Sequence, residues 1–213
     1  MNPTTRPFRA LRLRAMLAML AACGVGVIGC GGEPPTPEGP LVVALSIGER
    51  LDAIEVAGPD GRPARRDLSS PYAKATVLWF SSCTCDCVAD CAQRIEALLA
   101  RYAGKDVRFV AIDANPFDTV EEIAALRARL GASYPIERDV DGRTMRRVGI
   151  RASASVAIVD GEGRLRFRGA IDDDRFSPTT SYVERAVDAI LAGRNFEPHE
   201  AKTYGCVYPK PPR

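Results

Sequence analysis

The run Ala75-Thr-Val-Leu-Trp-Phe80 is apolar without alternation, the pattern of a central strand covered on both faces. Beyond Val88 the period changes. Cys91, Ile95, Leu98, Leu99 and Tyr102 recur at three and four, which predicts an amphipathic helix ending near Gly104. Val107 to Ile112 reads as a second strand, closed by Asp113-Ala-Asn-Pro116. Thr119 and Glu122 fit a capping box, and Ile123, Leu126 and Leu130 supply the stripe of a second helix that stops before Gly131. Strand, helix, strand, helix at these lengths is a βαβα unit with a parallel core.

On either side of this unit the pattern is antiparallel. Leu41 to Gly48, then Leu51 to Ala57, then the turn Gly58-Pro-Asp-Gly61 predict a short N-terminal strand or hairpin. Ser155 to Val159 and Arg164 to Arg168 flank Asp160-Gly-Glu-Gly163, a hairpin loop. Leu165 and Phe167 alternate with Arg164, Arg166 and Arg168, so that strand is expected near an edge with its basic face wet. Ser181 and Glu184 fit a capping box for a last helix with Val183, Val187, Ile190 and Leu191 inward. The expected fold is α/β, a central mixed β-sheet flanked by helices on both faces, over residues 41–213 with a polar tail from about 195.

Residues 1–29 are unlike this body. They carry Arg6, Arg9, Arg12 and Arg14 and no acid, and Ala15 to Ile28 is an apolar run too short for an ordinary spanning helix. It has the length of a signal-peptide core, and Gly29-Cys30 after it resembles a bacterial lipoprotein box, which implies lipidation of Cys30. Residues 30–40, rich in Gly and Pro, read as a tether. The expected place is the cell envelope: a lipoprotein of the outer or another membrane, facing the periplasm. The overall charge of +2 comes from the leader, since without it 25 basic face 27 acidic side chains. A body so near neutrality lacks the positive field of a nucleic-acid binder.

Seven cysteines are present. Cys23 lies in the leader and Cys30 is the lipid site, leaving Cys83, Cys85, Cys87, Cys91 and Cys206 in an exported body where disulfides persist. Four within nine positions point to redox chemistry or to a soft metal ion. Cys85 and Cys87 fall where the chain turns from the central strand into the first helix, where unpaired N–H groups and the helix dipole favour a thiolate. Cys91 falls on the buried stripe and reads as a packed thiol. Asp86 and Asp90 read as helix N-terminal charges, Asp172 to Asp174 as a solvated turn, and His199 as an exposed side chain of the tail.

The element order, with a cysteine at the strand-to-helix junction, resembles the thioredoxin-like fold. More narrowly the chain is similar to the redoxin and peroxiredoxin-like (AhpC/TSA) group. The matching stretches are Val77-Leu-Trp-Phe-Ser-Ser-Cys-Thr-Cys-Asp-Cys87, Val107 to Ile112, Tyr134-Pro135-Ile136 before Asp139, Val159-Asp160-Gly-Glu-Gly-Arg-Leu165, Phe167-Arg-Gly-Ala-Ile-Asp172 and Tyr204-Gly-Cys206-Val207. Counting five residues from Phe80, as the family spacing does, implies Cys85 as nucleophile. Thr84 three residues before Cys87 matches the peroxiredoxin Thr-x-x-Cys and makes Cys87 the competitor. Two family features are absent: the Cys-x-x-Cys pair, and the proline before the strand at Val156, where Ala154 or Ser155 stands.

The resemblance implies a thiol-disulfide oxidoreductase or thiol peroxidase with catalytic Cys85 and Cys87 and no cofactor. Cys83, Cys91 or Cys206 would then serve as resolving or structural thiols. Its partners would be a redox protein or a small peroxide or disulfide, and the membrane through the lipid. The alternatives are a copper or zinc site on Cys83, Cys85, Cys87 and Cys91, and a redoxin scaffold whose cysteines are a structural clamp.

Overall fold

The computed structural model describes residues 42–208. The expected signal peptide, Cys30 and the tether lie outside the described residues. The elements are β1 (Ala53–Ala57), β2 (Pro63–Asp67), β3 (Ala75–Ser81), α1 (Asp86–Tyr102), β4 (Val107–Asp113), α2 (Val120–Leu130), β5 (Ile136–Arg138), α3 (Arg143–Arg147), β6 (Ser155–Asp160), β7 (Leu165–Ala170) and α4 (Tyr182–Leu191). The strands form one mixed sheet in the order β2-β1-β5-β4-β3-β6-β7. β3 pairs parallel with β4 and antiparallel with β6, and every residue of β3 is buried, as its unbroken apolar run predicts.

Alternate residues of β3 serve two cores. Val77 and Trp79 face α1, α2 and α4, while Leu78 and Phe80 face a second cluster with Leu45, Ile54, Met145, Val148 and Tyr208. α3 lies on this second face, so helices cover both sides of the sheet. Leu165 and Phe167 sit two apart yet feed opposite cores, because a β-bulge between Ile158 and Val159 shifts the register of β6 against β7. α2 has both halves of the capping box, Thr119 Oγ1 accepting from Glu122 N–H and Glu122 Oε2 from Thr119 N–H, and ends on left-handed Gly131. In α4 only Ser181 to Glu184 N–H is made.

Four expectations are corrected. The N-terminal hairpin forms as β1 and β2 across the Gly58–Gly61 turn, but residues 42–48 form no strand: Leu45 N–H donates to the Arg147 carbonyl, and the segment crosses the second core instead of extending the sheet. β5 and α3, of three and five residues, carry too few positions for a period to register.

The basic face of β7 is not simply wet. Arg166 pairs with Asp160 at 3.0 Å, and Arg168 donates to the carbonyls of Leu45 and Val148 and pairs with Glu200. The tail does not trail away either. Arg168 N–H donates to the His199 carbonyl and Ala201 N–H to the Arg168 carbonyl, along the outer edge of β7. His199 is half-buried, edge-on to Phe196, with Nδ1 3.0 Å from the Arg166 carbonyl.

Candidate active site

β3 ends at Ser81 and α1 begins at Asp86, so residues 82–85 make the turn at the carboxyl end of the central parallel strands. Open α/β sheets bind ligands outside this end. Cys85 is the N-cap of α1, with extended backbone (φ −108°, ψ 113°) and no side-chain capping bond. An oxygen-bearing cap is worth about 1 kcal/mol. A sulfur here forgoes that stability and places a polarisable atom beside the free N–H groups of the first turn.

The Sγ atoms of Cys85, Cys87 and Cys206 all lie within 4.8 Å of one another. Cys85 and Cys87 are 4% and 5% exposed, and Cys206 is on the surface. Cys206 N–H donates to Cys85 Sγ at 3.4 Å, and Cys87 Sγ donates to the Tyr204 carbonyl at 3.3 Å.

Burial pushes the Cys85 thiol up. Hydrogen bonds from the Cys206 side chain, Ser153, and the backbone N–H groups of Cys206 and Cys87 outweigh it, and the net shift is downward. Burial and then the Cys85 charge push Cys87 up, against the pull of Arg175. Cys206 is pushed up to about 12, first by its hydrogen bond to Cys85. Of the three sulfurs, Cys85 is the one whose surroundings favour the thiolate.

Cys83 turns to a different group. Its N–H donates to Asp118 Oδ2 at 2.7 Å and its thiol faces Asp113 Oδ2 at 3.9 Å. Asn115 Nδ2 ties Ser82 Oγ (3.1 Å) to Asp118 Oδ1 (2.8 Å). Burial, then the neighbouring Asp118 charge, raises Asp113 to about 8. Burial and both carboxylates push Cys83 far up, so it is held as a thiol.

Cys91 is fully buried on the stripe of α1, but its sulfur is not in apolar surroundings. Arg94 Nη2 donates to Sγ at 3.1 Å and the Tyr204 hydroxyl is 3.6 Å away. That hydroxyl donates to Asp172 Oδ1 at 2.7 Å, and Arg94 Nε lies 3.3 Å from Asp172 Oδ2. Asp172 is therefore buried, not solvated as expected, because two partners satisfy it. Asp173 and Asp174 do stay exposed, accepting N–H groups of Thr179, Thr180, Phe176 and Ser177. Asp86 lies in the first turn of α1, whereas Asp90 binds Arg175 Nε at 2.6 Å.

The C-terminal segment completes the site. Ser153 N–H donates to the Cys206 carbonyl at 2.9 Å, Val207 forms a β-bridge with Ala152, and the Tyr208 hydroxyl donates to the Ser81 carbonyl at 2.7 Å. A Cβ on Gly205 would stand 1.7 Å from the Ser153 carbonyl oxygen, so only glycine permits this approach. Ala154, the residue before β6, is in a left-handed conformation at φ 51°.

Among the described residues no four-cysteine set closes. Cys83 and Cys91 do not join Cys85 and Cys87 as the metal alternative requires, and Cys206 is the third sulfur. Sequence reasoning passed over Arg94, Asp113, Asp118, Ser153 and Arg175, each of which has a partner far along the chain. Asp113, closing an apolar strand ahead of Asn115-Pro116, is the one with a local signal.

Residues 61–209 match the family model described as a domain of unknown function, DUF6436. The chain belongs to the DUF6436 family. No curated protein matches it. Among solved structures it is similar to an uncharacterized conserved protein from Geobacillus kaustophilus, at 25% identity over 79% of this chain and 94% of that chain, TM-score 0.67. A hypothetical protein from Sinorhizobium meliloti 1021 follows at 24% identity over 77% and 94%, TM-score 0.64. A putative thiol:disulfide interchange protein DsbE from Chlorobium tepidum matches at 19% identity over 70% and 99%, TM-score 0.57. This DUF6436 chain has the thioredoxin-like fold, an α/β architecture with a central mixed sheet between helices.

Proposed function

We propose that the chain is a thiol-disulfide oxidoreductase of the cell envelope, tethered through lipid on Cys30, in which Cys85 supplies the thiolate and Cys206 the partner sulfur. The convergence of three thiols at the head of α1 carries this reading. The Cys85 thiolate attacks a substrate disulfide, and one substrate sulfur leaves as thiolate, giving a mixed disulfide. That step consumes the charge on Cys85, and with it the main cause holding Cys206 protonated. Cys206 then loses its proton to the departing thiolate and attacks Cys85 Sγ, releasing the second substrate sulfur and closing Cys85–Cys206.

Cys87 is the weaker partner. One residue separates it from Cys85, a spacing that strains a disulfide, and its thiol is engaged with the Tyr204 carbonyl. Disulfide exchange is favoured over peroxide reduction, the AhpC/TSA-type chemistry, because the Thr84 hydroxyl pairs with Ser82 Oγ at 3.2 Å and not with Cys87. The export reading rests on the basic leader, the apolar run and Gly29-Cys30.

The test is trapping. In a Cys87→Ser, Cys206→Ser double variant, a model disulfide should leave a stable adduct on Cys85. In the parent chain peptide mapping should find Cys85–Cys206, and Cys85→Ser should abolish turnover. Unchanged turnover in Cys85→Ser would overturn the reading. Mass spectrometry of the native protein should find a lipid-bearing N-terminus at Cys30, and an unmodified Cys30 removes the tether.

A further inference from the structure

The three sulfurs are unequally placed. Cys85 and Cys87 are buried beneath the C-terminal segment, whereas Cys206 is exposed and is followed by Val207, 78% exposed. The segment is held over Cys85 by the Ser153–Cys206 bond, the Ala152–Val207 bridge and the Tyr208 hydroxyl. An external sulfur reaches Cys85 only when this segment lifts, whereas Cys206 stands exposed with the segment in place.

From this placement we infer that Cys206 is the entry sulfur of the oxidised chain, the atom attacked by an incoming dithiol, so that the protein works as an electron acceptor from dithiols. The inference rests on the exchange reading above and adds the direction and the point of entry. One donor thiol loses its proton to solvent, and its thiolate attacks Cys206 Sγ. A donor–Cys206 bond forms, the Cys85–Cys206 bond breaks, and Cys85 leaves as thiolate with the electron pair. Cys85 is the better leaving group, because the Ser153 side chain and the backbone N–H groups of Cys206 and Cys87 are already in place around its sulfur, none of them spent in the disulfide. The second donor thiol then attacks the first donor sulfur, its proton passing to Cys206, which leaves as a thiol. The donor ends as a disulfide and the chain as one thiolate and one thiol, two electrons richer. A partner disulfide restores the Cys85–Cys206 bond by the exchange already described, with the segment raised.

The exposed position of Cys206 also separates two classes of donor. A monothiol can make the first adduct but has no second sulfur to expel Cys206, so it stalls there. That stall is the basis of the test. The full chain, oxidised with diamide, is treated with limiting glutathione, quenched in acid and mapped by mass spectrometry. Cys87→Ser is run in parallel so that the adduct cannot migrate through Cys87, and serine can still donate to the Tyr204 carbonyl. At least tenfold more glutathione is expected on Cys206 than on Cys85 in both chains, and dithiothreitol should leave both sulfurs free.

Glutathione mainly on Cys85 would overturn the inference. So would the absence of a Cys85–Cys206 disulfide in the oxidised chain. Turnover measured on the same sample separates the two readings: exchange that persists through Cys85 and Cys87 leaves the oxidoreductase assignment standing while the entry role of Cys206 falls.

Discussion

At the scale of single residues, the turn before α1 is fixed by a buried acid. Asp113 is fully buried, accepts from Asn115 N–H at 3.1 Å and Ser81 Oγ at 3.3 Å, and faces the Cys83 thiol. Its pKa of about 8 lies above the ordinary 3.8, so the folded chain keeps a proton that the unfolded chain releases above about pH 4. This contribution to stability is complete below pH 4, shrinks as pH rises towards 8, and changes no further above. Asp113→Asn keeps the shape and stays neutral. Urea denaturation of the variant should show a flatter profile between pH 4 and 8 and, at pH 8, a gain on the order of a few kcal/mol. Parallel profiles for the two chains would mean that Asp113 is ionised in the fold. The thiols follow the same logic with the opposite result at Cys85, where hydrogen-bond donors outnumber the costs of burial.

At the scale of elements, the site is a meeting of one strand end, one helix start and one returning segment. The first two are legible in sequence. β3 is an unbroken apolar run, the stripe of α1 recurs at three and four, and Thr119 with Glu122 announces α2, each a local pattern that burial or capping imposes. The returning segment is legible only at its tip, where Tyr204-Gly-Cys206-Val207 bears the resemblance and Cys206 stands among the possible resolving thiols. Residues 199–208 have no period, and their hold on the site comes from backbone bonds to residues 151–153 and from Tyr208 to Ser81, contacts that no sequence window spans. Its one local clue is Gly205 beside Cys206. Gly205→Ala should push the segment off Ser153, slow closure of Cys85–Cys206 by at least about tenfold, and speed alkylation of Cys85. The measurement is disulfide mapping against time. Closure at the parental rate would show that the segment is not needed to present Cys206.

For the whole molecule, the sheet has two edges and each is treated differently. β2 ends the sheet on one side with Pro63, Arg65, Arg66 and Asp67, a proline and charges that discourage another strand from pairing. β7, at the other side, is apolar on alternate positions and is covered by the chain itself. Glu49 and Gly48 bond Leu165, and His199 and Ala201 bond Arg168. The same segment that shields this edge carries Cys206 to Cys85, so protection of the sheet and assembly of the site are one structural event. Truncation after Pro198 separates it from the rest. The shortened chain loses the buried Tyr208 side chain, worth roughly 1.5–3 kcal/mol, and several edge hydrogen bonds at about 1 kcal/mol each. A drop of at least about 3 kcal/mol in urea stability is expected, together with concentration-dependent association through the bared edge of β7, read by light scattering. A Cys206→Ser chain is the control, since it removes the sulfur but keeps the cover and should neither lose this stability nor associate. If the truncated chain unfolds at the parental urea concentration, the segment is an appendage of the site and not a part of the fold.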